Sequence, residues 1–360
     1  MMKLLEETLC QITPLNIEVM NAVQDRLDSL TKPKNSLGKL EAMVRQYAGI
    51  TGQVKPLLPK NCMIIACADH GVARRTVSAY PIETTAQMTA NYVCSQGASA
   101  NAFANYCRAD MVVIDVGVAA DLTHLPLLQH RKIAYGTADF TQGPAMEKSQ
   151  AIQAIETGID VVNKCVEQGY SCFSLGEMAI GNTTASAAIA AAFTGLTARE
   201  VTGRGTGISD SRLEVKIEAV RQGLLQNQPD KHDGIDVLAK VGGFEIGALA
   251  GVILGAAANR CPVILDGLNT TAAALIAHAL NPLAIQYAYA SHLSGEPVHA
   301  AVLEKLGLEA SIHMDICLGE AIGASVVMEL LALAVKMFNN MATFADARVT
   351  DRLGQERNYQ

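Results

Sequence analysis

Tryptophan is absent from this 360-residue chain, and aromatic residues make up only 4% of it. Runs of basic residues are also missing and the formal charge is −7, which argues against a surface for nucleic acid or anionic membranes. The nine cysteines form no C-x-x-C pair, and several lie inside apolar runs. We therefore expect reduced, buried thiols and neither disulfides nor a zinc site.

The sequence also lacks an obvious membrane-spanning segment. Its longest apolar run, residues 246–258, is too short and too rich in glycine to cross a bilayer. Glu6 and Glu7 stand where a signal peptide would have an apolar core. These features predict a soluble protein of the cytoplasm.

The sequence is rich in hydrophobic residues, which make up half of it, whereas only 18% of its residues are charged. The chain can therefore bury a large hydrophobic core. Candidate strands lie at residues 62–66, 111–114, 132–135, 172–175, 262–265 and 284–289. Helical patterns separate most of them, at residues 84–104, 150–168, 211–226, 243–258 and 270–279. Strands that alternate with helices predict an α/β fold with a parallel sheet flanked by helices.

Both ends of the chain show helical patterns instead. We expect them to pack together as a small helical domain of residues 1–58 and 326–360, beside a large domain of residues 59–325. Residues 352–360 are polar and predict a frayed end.

Polar residues follow the predicted strands at the points where the strands end. They are Asp69, Asp115, Glu177, Asp266 and Ser291. The carboxyl ends of parallel strands share one edge of a sheet, where open α/β folds bind ligands. Any one of these carboxylates could simply cap the next helix, but their number favours a site at this edge.

The stretch 175–184 combines a carboxylate, two glycines, an amide and two hydroxyls. We expect Gly176 to end a strand, and an alanine-rich helix to follow at residues 185–193. Backbone N–H groups at such a helix start favour an anion such as phosphate. The alternative is an ordinary turn with Asn182 or Thr183 as the helix cap.

Two further segments could carry chemistry. Residues 202–207 have glycines at every second position around Arg204, and Ile208 stands where a dinucleotide-binding fingerprint needs its third glycine. This segment could bind phosphate through its N–H groups and the guanidinium, or it could be a plain turn. Glu320 precedes the last long helix and has apolar neighbours. These neighbours would raise its pKa and suit it to act as a general base. Alternatively, its negative charge complements the dipole of that helix.

Two common catalytic patterns are missing. No H-E-x-x-H motif is present, so we expect no metal site, and no G-x-S-x-G elbow indicates a hydrolase. The tract 78–81, followed by Gln87, reads as a turn into a helix whose polar groups line a pocket or cap the helix.

Taken together, the segments resemble one family, the nicotinate-nucleotide–dimethylbenzimidazole phosphoribosyltransferases of cobalamin lower-ligand assembly. The resemblance runs from residue 31 to about residue 325 and is specific because many motifs occur in the right order. They are Thr31-Lys32-Pro33 with Ser36-Leu37-Gly38; Asp69-His70-Gly71-Val72; Ser78-Ala79-Tyr80-Pro81 with Thr85, Gln87, Met88 and Asn91; Asp115-Val116-Gly117-Val118; Gly176-Glu177-Met178; Ile180-Gly181-Asn182-Thr183-Thr184; Gly203-Arg204-Gly205-Thr206-Gly207; and Leu318-Gly319-Glu320.

The resemblance implies a Rossmann-like sheet, a small helical domain made from both chain ends, and a homodimer. It implies transfer of phosphoribose from nicotinate mononucleotide to 5,6-dimethylbenzimidazole or a related base, with no metal or redox cofactor. By motif, Glu320 matches the general base and Glu177 the carboxylate that stabilises positive charge on the sugar. Ser78, Tyr80 and Gln87 match the pocket for the acceptor base. The nucleotide and phosphate residues match Gly176, Met178, Gly181, Asn182, Thr183, Gly203, Arg204, Gly205 and Ser291.

The chain departs from the family pattern at two places. Lys34 and Asn35 stand where Pro-Gly is usual, and Ala321 and Ile322 follow Glu320 where Gly and a small polar residue are usual. The second departure bears on the acceptor, so transfer to adenine or a phenol is an alternative, as is a catalytically silent nucleotide-binding protein. A nucleotide-binding oxidoreductase is disfavoured because the dinucleotide fingerprint is missing.

Overall fold

The structure of the protein is a computed structural model that describes residues 2–351. Its sheet consists of β1 (Asn61–Ala68), β2 (Asp110–Gly117), β3 (Gln129–His130), β4 (Cys172–Met178), β5 (Val263–Leu265) and β6 (Ala288–Ala290). The order is β3-β2-β1-β4-β5-β6 and every neighbouring pair is parallel. This is the Rossmann order, in which the chain reverses its direction across the sheet between β1 and β4 and leaves a crevice at their carboxyl ends. The predicted α/β class is confirmed.

Helices surround this sheet. They are α1 (Lys3–Gln11), α2 (Ile17–Ser29), α3 (Lys39–Thr51), α4 (Thr84–Ala90), α5 (Ser99–Tyr106), α6 (Lys148–Glu167), α7 (Asn182–Thr194), α8 (Ala198–Val201), α9 (Asp210–Asn227), α10 (Gly234–Val241), α11 (Phe244–Ala258), α12 (Leu268–Leu280), α13 (His299–Leu306), α14 (Ile322–Asn340) and α15 (Phe344–Ala347). Among them, α11 is apolar apart from Glu245 and is buried along nearly its whole length, which makes it a central core helix.

The helices at the two chain ends contact each other. Helix α14 packs on α3, and α3 packs on α2. The backbone N–H of Thr31 donates to the carbonyl of Ala342 at 3.0 Å. Helix α1 instead packs on α6 and α11, where the N–H of Leu5 donates to Glu156. The division into domains 1–58 plus 326–360 and 59–325 stays a prediction, and residues 352–360, with their predicted frayed end, lie outside the described part of the chain.

Three local predictions were wrong. Residues 132–135 are not a strand: the short edge strand β3 ends at residue 130. Residues 284–287 belong to a 3-10 helix that starts at Pro282, where the Asn281 side chain caps the first turn by accepting from the N–H of Leu283 at 3.0 Å. Gly176 does not end β4, which continues through it to residue 178.

Helix α14 is long and apolar enough to cross a membrane by length and composition, with a mean hydropathy of 1.6 over its best window. More than half of that window is buried within the protein, and the helix packs against α3 and β4. This burial is typical of a core helix.

Candidate active site

The five polar residues that follow the predicted strands all lie at the carboxyl edge of the sheet. Asp115 and Glu177 are near the carboxyl ends of β2 and β4, and the other three come directly after β1, β5 and β6. All five are buried. Since buried ionisable groups are costly unless they are partnered or functional, their environments indicate what each one does.

Glu177 is held by two amides. The side chains of Asn182, at the start of α7, and Asn269, in α12, each donate to one of its carboxylate oxygens, the latter at 3.0 Å. The hydroxyl of Ser186 donates to the Asn269 carbonyl oxygen at 2.8 Å and so orients this amide toward Glu177. Burial, reinforced by the negative charges of Glu245 and Glu320, raises the pKa of Glu177 to about 7 against the opposing amide hydrogen bonds.

A buried ion pair lies nearby. His70 Nε2 and Glu245 Oε1 are 2.7 Å apart and both side chains are fully buried. Burial alone would lower the pKa of His70, but the adjacent Glu245 carboxylate raises it. The sequence reading missed this pair because Glu245 lies within an otherwise apolar helix.

Glu320 reaches the same crevice through a strained turn. Glu320 and Ala321 both adopt left-handed backbone angles, with φ values of 62° and 63°, just before α14 begins. A Cβ atom on Gly176 would lie 2.7 Å from the amide nitrogen of Ala321, and one on Gly319 would overlap the Glu177 carboxylate. The two glycines therefore allow the turn to press against β4 beside Glu177.

The carboxylate of Glu320 is buried and only partly satisfied. Burial raises its pKa, although the Tyr92 hydroxyl and the backbone of Ala100 act in the opposite direction. Its Oε2 atom is buried and has no hydrogen-bond partner among the described residues. A buried carboxylate with a raised pKa and a free oxygen has the properties of a proton acceptor.

Asp266 and Ser291 lie beside the turn that carries Glu320. Asp266 Oδ1 accepts a hydrogen bond from the N–H of Ala324 in the first turn of α14 at 3.0 Å. Burial raises the pKa of Asp266 to about 8. The hydroxyl of Ser291 lies 3.1 Å from the Asp266 carbonyl oxygen and 3.0 Å from His292 Nδ1. Ser291 is thus fully buried with its hydroxyl engaged inside the wall of the site, and a role in nucleotide binding stays a prediction.

The start of α7 and the loop 203–207 surround a buried amine. We call this arrangement the phosphate cradle, after the ligand that the sequence predicts there. Lys216 Nζ, from α9, donates to Thr183 Oγ1 at 2.9 Å and to the carbonyl oxygen of Gly203 at 3.1 Å. A Cβ atom on Gly205 would lie 3.0 Å from this amine. Both partners are neutral oxygens, and burial lowers the pKa of Lys216 to about 8. Neither direct partner of the amine is charged, so a dianionic phosphate would stabilise its protonated form.

The structure does not bring the Arg204 guanidinium into the phosphate cradle. It donates to the carbonyl of Ile208 at 2.9 Å, pairs with Asp210, and is half exposed. The sequence reading missed Lys216 because a lysine in a helical pattern usually faces solvent. The signal was its spacing, since Lys216 precedes the buried Val220 by four residues and so lies on the apolar face of α9.

The residues predicted to bind the acceptor lie beside this loop. The hydroxyl of Ser78 is 3.2 Å from that of Thr206, and the N–H of Ala79 donates to the same Thr206 oxygen at 2.9 Å. Tyr80 and Gln87 are exposed, the latter on α4. Ser78 is therefore tied to the loop 203–207, and contact of Tyr80 and Gln87 with an acceptor stays a prediction.

The structure gives a physical account of the two departures. Asn35 has φ of 59°, a conformation that asparagine tolerates better than most other residues, so it can replace glycine there. Ala321 is fully buried and belongs to the contiguous apolar core. Ile322 is 7% exposed but lies outside that core, so of the two side chains beside Glu320 it is the candidate to face a ligand.

Comparisons with known proteins agree with this geometry. A model of the phosphoribosyltransferase family matches residues 12–349. The nicotinate-nucleotide–dimethylbenzimidazole phosphoribosyltransferase of Chloroflexus aggregans is 50% identical over 351 residues, which cover 98% of this chain and 99% of that protein. The protein of the same name from Roseiflexus sp. is 49% identical, with 98% and 99% covered. The crystal structure of CobT from Thermus thermophilus has a TM-score of 0.89 at 40% identity and covers 92% of this chain and 99% of that one.

The raised pKa of Glu177 predicts a specific dependence of stability on pH. Its folded-state pKa of about 7 lies above the ordinary value of 4.5, so the folded protein holds the proton more tightly than the unfolded chain. The resulting stabilisation is fully present below pH 4.5 and is lost as the pH rises through 7. Over that window Glu177 should lower the free energy of unfolding by roughly 3 kcal/mol.

Urea unfolding at several values between pH 4.5 and 8 tests this window. The free energy of unfolding of Glu177→Gln should decline less over this range than that of the wild type, even if the two proteins differ in stability at any single pH. Glu167→Gln, at an exposed position on α6, is the matched control and should follow the wild type. Parallel curves for Glu177→Gln and the wild type would show that the pKa of Glu177 is the same in the folded and unfolded states.

Proposed function

The chain belongs to the phosphoribosyltransferase family whose model spans residues 12–349, and we propose that it transfers phosphoribose from nicotinate mononucleotide to 5,6-dimethylbenzimidazole or a related base. The products are α-ribazole 5′-phosphate and nicotinate, in the assembly of the cobalamin nucleotide loop. The motif resemblance and the names of relatives that are 49–50% identical over nearly their whole lengths support this reaction.

One contact supports the proposal most directly. Gly319 lies against the carboxylate of Glu177, which places the next residue, Glu320, in the same buried crevice. The proposed reaction uses one carboxylate near the sugar and another near the acceptor, and the proximity of Glu177 and Glu320 supports these two roles.

The phosphate of the donor suits the phosphate cradle. Lys216 offers a buried positive charge, and the start of α7 offers backbone N–H groups. The phosphate does not react, so its binding energy serves to hold the ribose in position for the chemical step.

Glu177 suits the developing positive charge on the sugar. When the bond between C1′ and the nicotinate nitrogen breaks, its electrons leave with nicotinate and the ribose gains oxocarbenium character. A fixed carboxylate in a crevice of low dielectric constant stabilises that charge without reorganisation at the moment of reaction. The amides of Asn182 and Asn269 hold the Glu177 carboxylate in one orientation for this purpose.

Glu320 suits proton removal from the acceptor. An azole nitrogen attacks C1′ and forms the new C–N bond while the azole N–H proton must leave. Glu320 Oε2, which has no hydrogen-bond partner in the described part of the chain, can accept this proton. The raised pKa of Glu320 brings it closer to the value that a general base needs near neutral pH.

We also propose a homodimer in the cytoplasm. The homodimer follows from the family resemblance. The cytoplasmic location is supported by the nine cysteines, all of which are free thiols, as expected in a reducing compartment.

Incubation with nicotinate mononucleotide and a panel of acceptors, followed by chromatography, tests the reaction. Free nicotinate together with a ribosylated azole should appear only when an acceptor is present. Product with adenine or a phenol and none with benzimidazoles would favour the alternative acceptors. Binding of the mononucleotide without turnover on any acceptor would favour a catalytically silent protein.

Replacing Glu320 tests the general base. Glu320→Gln keeps the shape of the side chain but cannot take the proton, so the rate of transfer should fall by about 10²–10⁴-fold while affinity for nicotinate mononucleotide is largely retained. Single-turnover kinetics and calorimetry measure the two quantities. A turnover rate like that of the wild type would remove Glu320 from this role.

A pair of variants tests which cation binds the phosphate. Lys216→Met removes the buried amine and should weaken binding of nicotinate mononucleotide by about tenfold or more. Arg204→Ala should have the smaller effect because that guanidinium is already paired with Asp210. Calorimetry on both variants decides, and the reverse order would restore Arg204 as the phosphate ligand.

A substitution beside the base tests the acceptor pocket. If Ile322 faces the acceptor, Ile322→Ser should change the ratio of kcat/KM between a bulky azole and a smaller phenol. The change should correspond to a difference in activation free energy of about 1–3 kcal/mol. Ala321→Gly is the matched control, since Ala321 belongs to the core and should leave this ratio unchanged. An altered melting temperature with the same acceptor ranking would place Ile322 in a purely structural role.

A further inference from the structure

A carboxylate that the mechanism does not use lies on the phosphate cradle. Glu296 is in the connection between β6 and α13, and its Oε1 atom accepts a hydrogen bond from the N–H of Gly205 at 2.7 Å. A Cβ atom on Gly203 would overlap the other carboxylate oxygen. The Glu296 carboxylate is thus packed along the same glycine loop that contacts Lys216.

The charge of Glu296 acts on the buried amine. Burial lowers the pKa of Lys216, and the negative charge of Glu296 opposes that effect more than any other group. Lys216 itself donates to the carbonyl oxygen of Gly203, the residue against which Glu296 packs. Glu296 therefore places a negative charge near the buried amine.

This arrangement is costly for Glu296. Its Oε2 atom is buried and, within residues 2–351, has no hydrogen-bond partner. A buried carboxylate oxygen without a donor is destabilising, so the side chain gains if it leaves the cradle for water. Its neighbours Gly295 and Pro297 are exposed, so water lies directly beside the loop.

We propose that Glu296 occupies the phosphate cradle of the free protein as an internal anion, and that the donor's phosphate must displace it to bind. The proposal rests on the proposed function for the identity of the donor. Phosphate would take the N–H of Gly205 and the charge of Lys216, and two anions cannot share these groups because like charges repel. Only molecules in which Glu296 has left the cradle can bind the donor, so the apparent affinity falls in proportion to the fraction of such molecules.

A neutral isostere separates this role from a structural one. If Glu296 competes with phosphate, Glu296→Gln should bind ribose 5-phosphate about threefold to tenfold more tightly than the wild type does. If Glu296 merely holds the glycine loop in shape, its loss should weaken binding. A gain of affinity is therefore the result that a structural role cannot produce.

Calorimetry with ribose 5-phosphate measures this on the full chain, without any need for turnover. Glu296→Ala is a second variant that removes the carboxylate completely and should also bind more tightly. Glu304→Gln, exposed on α13, is the matched control and should bind like the wild type. Lys216→Met should lose affinity for ribose 5-phosphate whether residue 296 is Glu, Gln or Ala. Melting curves verify that each variant is folded.

Each outcome has a clear consequence. Unchanged or weaker binding in folded Glu296→Gln overturns the proposal, as does binding that does not depend on Lys216. In the transferase assay, the same factor should appear as a lower KM for nicotinate mononucleotide. If the wild type transfers phosphoribose to no acceptor while Glu296→Gln still binds ribose 5-phosphate more tightly, the proposed function fails and the competition by Glu296 stands.

Discussion

The site depends on one close approach between two pieces of backbone. The turn that carries Glu320 lies against β4 at Gly176, where a side chain would meet the amide of Ala321. Because this contact leaves no room for a Cβ atom, it fixes the distance between the turn and the strand that carries Glu177. Two successive left-handed residues make the turn costly, and the Asp266 carboxylate offsets part of that cost by accepting from the first turn of α14.

The charges of the site are separated along the sheet edge. Carboxylates cluster in the crevice between β4 and α14, where burial and mutual repulsion raise the pKa values of Glu177 and Asp266. The buried amine of Lys216 instead donates to Thr183, the residue after the Asn182 that holds Glu177. The proposed donor matches this layout, because its phosphate is dianionic and its sugar gains positive charge as nicotinate leaves. Electrostatic complementarity of this kind orients a ligand before any reaction begins.

The sequence predicted the fold class and most elements because their signals are local. Strands β1, β2 and β4 read as short apolar runs, and α6 and α11 as helical patterns, since each buries a face that its own residues define. Where packing with distant segments decides, the prediction was wrong. Residues 132–135 are apolar enough for a strand, yet β3 ends at residue 130 and the segment continues as a loop whose Ile133 N–H donates to the carbonyl of Val116 in β2.

By itself the sequence determined which residue types reach the carboxyl edge, because strand ends and the polar residues after them are encoded together. It also carried the family motifs that name Glu177 and Glu320. Only the tertiary structure decided that these two carboxylates share one crevice, since more than a hundred residues separate them along the chain. It likewise set different environments for two cations: Arg204 is paired with Asp210, whereas Lys216 is buried and donates to Thr183. Burial and partners set the charge that a side chain offers a ligand, and both arise from contacts between segments that the linear sequence keeps apart.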